Sequence, residues 1–186
     1  MIEDDPAQGS WSLADWIVLG LLVERPRHGF SLVKELTPDT LLGQVWSLPN
    51  PVIYRALHAL QAKAMITPEP AESSSLGPRR VPMQPTRQGR ERLLEWLGTP
   101  LDHLRDMRVL LRVKLHLTLR LGLDPIPLLV AQRARNLQAK ATVSHSPPPG
   151  TRVEQDLLRI WREEQSIATN RFVDRAIDLF GGEGRR

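Results

Sequence analysis

The stretch from His28 to Ile66, HGFSLVKELTPDTLLGQVWSLPNPVIYRALHALQAKAMI, constrains the fold of this chain most. Phe30, Val33 and Leu36 recur at helical spacing, which predicts a helix over 30–36. Ile53, Leu57 and Leu60 stand at i, i+4 and i+7, which predicts another over 51–63. The second helix has a sharp start. Asn50 is a preferred N-cap, and Pro51 fits the first helical position because its missing N–H would be orphaned there anyway. Between the two, residues 37–49 read as a connection with Pro38, Gly43 and Pro49, carrying the apolar tract Leu41, Leu42, Val45 and Trp46. The second helix leaves Tyr54, Arg55, His58 and Lys63 among its apolar residues. Taken alone, the stretch is either an ordinary packed helix pair or a helix-turn-helix whose polar face enters the major groove of DNA.

The flanks favour the second reading. Ser12 followed by Asp15 is a helix start of the capping-box type, and the helix runs through Leu13, Trp16, Ile17, Leu19, Gly20 and Val23 until Glu24-Arg25-Pro26 ends it. Downstream, residues 65–72 predict a short strand, 72–78 a Ser/Gly/Pro loop and 79–85 a return strand. Pro82 and Pro85 each remove a ladder donor and assign that return strand to an edge. Thr86 caps a further helix to Leu97, and Gly98 with Pro100 stops it. Helix, helix, helix, strand, loop, strand is the order of a winged helix-turn-helix, here a domain over 12–98 behind a flexible N-terminus at 1–11, with the wing tip at 73–77.

The remainder, 101–181, reads as helical. Residues 102–121 are apolar nearly all round except for a stripe of Arg105, Arg108, Arg112, His116 and Arg120. A helix over 125–141 follows, then a Pro-rich linker at 146–150, then one long helix over 152–180. The long helix carries two adjoining apolar edges that include Leu157, Ile160, Trp161, Ile167, Ala168 and Phe172. Three helices do not supply enough partner surface to cover them, so these residues predict a homodimer. The expected fold class is mostly α: an N-terminal winged helix-turn-helix with a short two-stranded wing, followed by a helical C-terminal dimerisation domain.

Composition narrows the function. The 186 residues include no cysteine, so disulfides and thiolate metal sites are excluded. The acidic start MIEDDPAQGS is unlike a signal peptide, and the longest apolar run, Trp16 to Val23, is far short of the ~20 residues a membrane span needs. A cytoplasmic protein with no membrane partner is expected. Residues 1–100 hold 10 Lys and Arg against 11 Asp and Glu, yet within 47–92 seven basic residues face three acidic ones, a local patch suited to phosphate. There is no phosphate-cradling Gly loop and no His-Glu-x-x-His, and the five histidines are not at metal-ligand spacing. Neither an enzyme, a cofactor nor a metal is expected.

These features together resemble the PadR family of bacterial transcriptional regulators. The family pattern is a Leu-rich first helix, His-Gly-Tyr opening the second, Leu-Tyr-x-Ala-Leu-x-x-Leu in the recognition helix, a wing, and Thr-x-x-Gly opening a fourth helix. Here the corresponding stretches are Leu19-Gly20-Leu21-Leu22, His28-Gly29-Phe30, Ile53-Tyr54-Arg55-Ala56-Leu57-His58-Ala59-Leu60 and Thr86-Arg87-Gln88-Gly89, in order over about 12–97. The resemblance implies a DNA-binding regulator, in which Tyr54 contacts the DNA backbone through its hydroxyl. On major-groove geometry, Arg55 is assigned to base edges or a phosphate and Asn50 to a phosphate or adenine. His58 lies on the same face, Lys63 meets a phosphate, and Arg79 and Arg80 reach the neighbouring backbone or minor groove from the wing.

The expected partners are double-stranded DNA, as a pseudo-palindromic operator, and a second copy of the chain. The family also implies a small-molecule effector, and Trp11, Trp16, Trp96 and Trp161 are either its aromatic cavity or core. Three departures from the family pattern stand out: Ala64 replaces a glycine after the recognition helix, Arg80-Val81-Pro82-Met83-Gln84-Pro85 replaces Arg-x-Tyr-Tyr, and Val52 replaces a small polar residue. With so altered a wing, the alternative function is a winged-helix protein-interaction module that has lost operator binding.

Overall fold

The computed structural model describes residues 11–69, 81–141 and 150–183, which form two compact units. The first unit is built on α1 (Leu13–Glu24), a helix buried along nearly its whole length from Ala14 to Val23. The predicted capping box starts it: the Asp15 N–H donates to Ser12 Oγ at 3.2 Å, and the Ser12 N–H donates to Asp15 Oδ2 at 2.9 Å. Around α1 lie α2 (Gly29–Glu35), α3 (Leu41–Val45), α4 (Asn50–Ala62), an antiparallel pair β1 (Ile66–Pro68) and β2 (Met83–Pro85), and α5 (Arg87–Gly98). The core joins Ile17, Leu19, Leu21 and Leu22 of α1 to Ile53, Ala56 and Leu60 of α4 and Leu93 of α5. Each fully buried leucine contributes roughly 1.5–3 kcal/mol.

Three local expectations need correction. The connection over 37–49 contains a helix, α3, because the Thr40 hydroxyl caps the Gly43 N–H at 2.9 Å and Leu42 is buried. Asn50 is not an N-cap. Pro49 occupies that position in an extended conformation without a side-chain cap, Asn50 is the first helical residue, and Pro51 stands second. The return strand β2 is an edge strand of the two-stranded sheet, as expected, and one isolated bridge caps its outer side. Met83 pairs with Pro68 of β1 on one side, while on the other its N–H donates to the Arg27 carbonyl (2.8 Å) and its carbonyl accepts from the Arg27 N–H (3.1 Å). The apolar segment 102–121 is not a single regular helix. It divides into α6 (Leu104–Asp106), a π-helical turn over Met107–Leu111, and α7 (Arg112–Arg120). Residues 112–123 belong to the first unit and 98–111 to the second, so the division falls inside that segment. The N-terminus expected to be flexible, the wing tip at 73–77 and most of the linker at 146–150 lie outside the described residues.

The end of α4 shows how the first unit is knitted. The Met65 N–H donates to the Leu60 carbonyl (2.9 Å) and the Ala64 N–H to the Gln61 carbonyl (3.0 Å), the bonding pattern of a Schellman cap. Such a cap needs a left-handed residue, and Ala64 adopts φ +56° despite its Cβ. Thr86 locks the cap from outside: its hydroxyl donates to the Ala64 carbonyl at 2.9 Å and accepts the Gly89 N–H at 3.1 Å. A side chain on Gly89 would collide with the Met65 carbonyl, so the Thr-x-x-Gly signature serves this close approach.

Two ends of an aromatic ladder hold lysines. Trp16 stacks on Trp11 (centroids 4.2 Å apart) and on Trp96 (4.8 Å). Lys63 Nζ lies 4.8 Å from the Trp11 ring centroid, and Lys114 Nζ of α7 lies 4.7 Å from that of Trp96. Lys114 is 1% exposed and donates to the Trp96 carbonyl at 2.6 Å.

The second unit contains α6, α8 (Ile126–Ala141) and α9 (Arg152–Glu183). Leu128 and Leu129 of α8 and Val173 and Ala176 of α9 are buried. A polar chain runs through this core: Gln132 exchanges two bonds with the Leu101 backbone and donates to Asn136 (3.0 Å), which donates to Asn170 of α9 (3.0 Å). Such a satisfied buried chain sets the register of one helix on the other, since slippage would leave its amides unpaired.

Two measurements test these assignments. A left-handed non-glycine residue costs roughly 1–2 kcal/mol, offset by about 0.4–1 kcal/mol of extra chain entropy when glycine replaces it. Ala64→Gly is therefore expected to raise the unfolding free energy by about 0.5–1 kcal/mol in a urea titration; an unchanged or lower value contradicts the strain. Burial pulls the Lys114 ammonium down to about 7. Between that value and its ordinary range near 10.5, the unfolded chain binds a proton that the folded chain lacks. Stability is therefore lowest below pH 7 and rises toward pH 10, by roughly 2–4 kcal/mol. Lys114→Met flattens this rise if the assignment is right, and leaves it intact if another group causes it.

Candidate nucleic-acid interface

Burial of Ile53, Ala56, Leu57 and Leu60 turns one face of α4 inward and leaves Asn50, Pro51, Tyr54, Arg55, His58, Gln61 and Ala62 exposed. Four of the sequence-predicted residues, Asn50, Tyr54, Arg55 and His58, thus share one exposed helix face. Among the described residues Arg55 has no ion pair, and the Asn50 side chain is spent on no cap. A planar guanidinium held out from a rigid helix suits bidentate contact with guanine or phosphate.

Lys63 is placed differently. It is the C-cap residue of α4, and its ammonium is engaged by the fold, 3.8 Å from Asp15 Oδ2 and over the Trp11 ring. Arg79 and Arg80 lie outside the described residues.

The face is positioned by α2. His28 caps that helix: its Nδ1 accepts the Ser31 N–H at 3.2 Å, and its carbonyl accepts the Ser31 hydroxyl at 2.9 Å. Gly29 follows, and the Tyr54 ring rests against it. Lys34 and Phe30 extend the exposed surface of α2, with Lys34 Nζ 5.0 Å from the Phe30 ring centroid.

An ion network missed at the sequence level anchors α2 and the base of the wing. The Arg27 side chain is 3% exposed. It donates to the Leu21 carbonyl (3.2 Å), to Glu35 Oε1 (2.6 Å) and to Glu24 Oε2 (2.8 Å). Arg120 of α7 completes the cluster through Glu24 Oε2 (2.8 Å) and Glu35 Oε2 (3.0 Å). Burial pushes the Glu35 carboxyl up, but the hydrogen bond and charge of Arg27 and the nearby Arg120 together bring it below its ordinary value. Arg120 shows the reverse: burial lowers it, and Glu24 and Glu35 more than restore it. The only sequence signal was Glu24 three residues before Arg27; Glu35 and Arg120 are too distant along the chain to be paired by inspection.

The residues expected to dimerise belong to the second unit. Leu157 and Trp161 are both 62% exposed, Ile160 and Ile167 both 48%, and Phe172 44%, with Ala168 also exposed. The N-terminal half of α9 thus presents its apolar edge uncovered within this unit. Trp11, Trp16 and Trp96 form the ladder of the first unit, and Trp161 belongs to α9 of the second. Among the described residues no helix is long and apolar enough to cross a membrane, and no group of three or more His, Asp or Glu residues is placed to hold a metal ion.

Residues 18–95 match the model of the transcriptional regulator PadR-like family. Among solved structures the chain is similar to Bacillus subtilis PadR in complex with operator DNA, at 17% identity over 91% of this chain and 99% of that one, with a TM-score of 0.44. No curated protein matches it. The match spans α1 from its sixth residue, the helix pair, the wing strands and most of α5, so the similarity to the PadR-like family covers residues 18–95.

Proposed function

We propose that this regulator acts as a repressor, binding a pseudo-palindromic operator as a homodimer and responding to a small-molecule effector. The observation that carries DNA reading is the exposed face of α4, where Tyr54, Arg55, His58 and Asn50 stand on a helix fixed at both ends. In this reading α4 enters the major groove, Arg55 meets a base edge or phosphate, and Tyr54 and Asn50 fix the register on the backbone. Arg79 and Arg80 extend the contact to the neighbouring backbone. Lys63, tied to Asp15 and Trp11, supports the helix and adds its charge at the far end.

The uncovered edge of α9 supports pairing with a second copy, because six large or small apolar residues in water on one helix are costly for a monomer. A two-fold pair would set two recognition helices about 34 Å apart, facing successive major grooves. Repression follows from occupancy: a bound dimer blocks access to the promoter it covers. Of the four tryptophans expected at an effector cavity, Trp11, Trp16 and Trp96 stack on one another, and exposed Trp161 of α9 is assigned to meet the effector.

Titration of the DNA upstream of the chain's own gene tests the reading. Affinity is expected to fall linearly in log salt, and Arg55→Ala to cost roughly 1–3 kcal/mol. Equal affinity of variant and parent removes Arg55 from the interface, and no binding at any salt favours the protein-interaction module instead. Ile160→Arg combined with Trp161→Arg is expected to yield a monomer in sedimentation and to weaken operator binding roughly hundredfold or more, as the two half-sites become independent. A dimer of unchanged size would remove this edge from the interface.

A further inference from the structure

The contact between Gly29 and Tyr54 is closer than any side chain at position 29 permits. A Cβ built on Gly29 would stand 2.5 Å from Tyr54 Cε1, 3.1 Å from Cζ and 3.2 Å from the hydroxyl oxygen. Real Cβ atoms do not approach a ring carbon that closely. Nor does the backbone account for the glycine: Gly29 is the first residue of α2, and its φ is not positive. Any residue could adopt that conformation, and nearly every other residue would favour the helix more than glycine does. The helix start is separately secured by the His28 cap, so glycine is not needed to end or begin the turn.

We propose that Gly29 is a positioning residue for the proposed DNA-reading face: by lacking a side chain it lets the Cε1–Cζ–hydroxyl edge of Tyr54 rest against the start of α2, which fixes where the Tyr54 hydroxyl is presented. Tyr54 is 43% exposed, so the ring is in part covered and in part open to a partner. With two side-chain torsions and one edge in contact with α2, a tyrosine loses little entropy when its hydroxyl meets a phosphate oxygen. An alanine at 29 would lift the ring and misdirect the hydroxyl without touching DNA itself.

The inference rests on the reading of α4 as the DNA-contacting helix, but part of its test does not. Tyr54 is the only tyrosine in the chain, so incorporation of 3-fluorotyrosine gives a single fluorine resonance reporting this ring. Three measurements on the full-length chain are decisive. Gly29→Ala is expected to shift that resonance in the free protein, because the half-exposed ring must leave its seat, and to bring no gain in melting temperature. In the Tyr54→Ala background the same substitution is expected to raise the melting temperature, because alanine is the better helix former once the ring is gone. On the upstream DNA, Gly29→Ala is expected to weaken binding roughly tenfold, and to have no further effect in the Tyr54→Ala background. An unmoved resonance, a change in melting temperature that is the same in both backgrounds, or parental affinity in Gly29→Ala each overturns the proposal. If no upstream DNA binds the parent, the regulator reading fails on its own, while the resonance and stability arms still judge the Gly29–Tyr54 seating.

Discussion

The first unit depends on one buried guanidinium. Arg27 reaches the Leu21 carbonyl, Glu24 at the end of α1 and Glu35 at the end of α2, while its backbone bridges to Met83 of β2. One residue therefore fixes the angle between the two helices and the attachment of the wing base to both. A charge this deeply buried is costly unless every donor is matched, and here two carboxylates and a carbonyl match it. Arg120 balances the second carboxylate charge and ties α7 into the same cluster. Removing either glutamate would strand a buried cation, which typically costs about 3–5 kcal/mol.

That anchoring gives α4 a fixed platform. At its start, Pro49 and Pro51 restrict the chain, and Asn50 is left with an unspent side chain. At its end, the Schellman cap at Ala64 and Met65 is gripped by Thr86, whose N–H and hydroxyl both bond to the Met65 carbonyl. The Lys63 ammonium fastens the same end to Asp15 and Trp11, so the helix cannot rotate without breaking contacts at its C-terminal end. Precision of this kind is what readout of base edges demands, since hydrogen bonds to bases lose value steeply with misplacement.

Much of this was legible in the sequence, for physical reasons. The periodicity of Ile53, Leu57 and Leu60 fixed the inward face of α4, and hence the outward position of Tyr54, Arg55 and His58. The Ser12–Asp15 box and the Thr86 cap were visible because their partners are three residues apart. Ala64 stood out as a departure from a glycine position, which left open whether the helix keeps a left-handed cap or ends differently; its positive φ selects the cap. What escaped notice depends on tertiary context. A five-residue helix such as α3 is too short to show a period. The N-cap moved from Asn50 to Pro49 because both residues precede plausible starts. The π-helical turn leaves the apolar pattern of 102–121 unbroken while the chain passes between units. Arg27 sits between a proline and a histidine in what reads as a loop, with its partners distant in sequence.

In the proposed function the outer face of α4 reads the major groove from a two-fold pair. Dimethyl sulfate footprinting on the DNA upstream of the gene tests it most directly, because the reagent reports guanine N7 in the major groove and adenine N3 in the minor groove separately. Protection of guanine N7 is expected in two patches about 10 base pairs apart on one face of the duplex, lost with Arg55→Ala in both patches. Protection confined to adenine N3, or a single patch unaffected by that substitution, would contradict it.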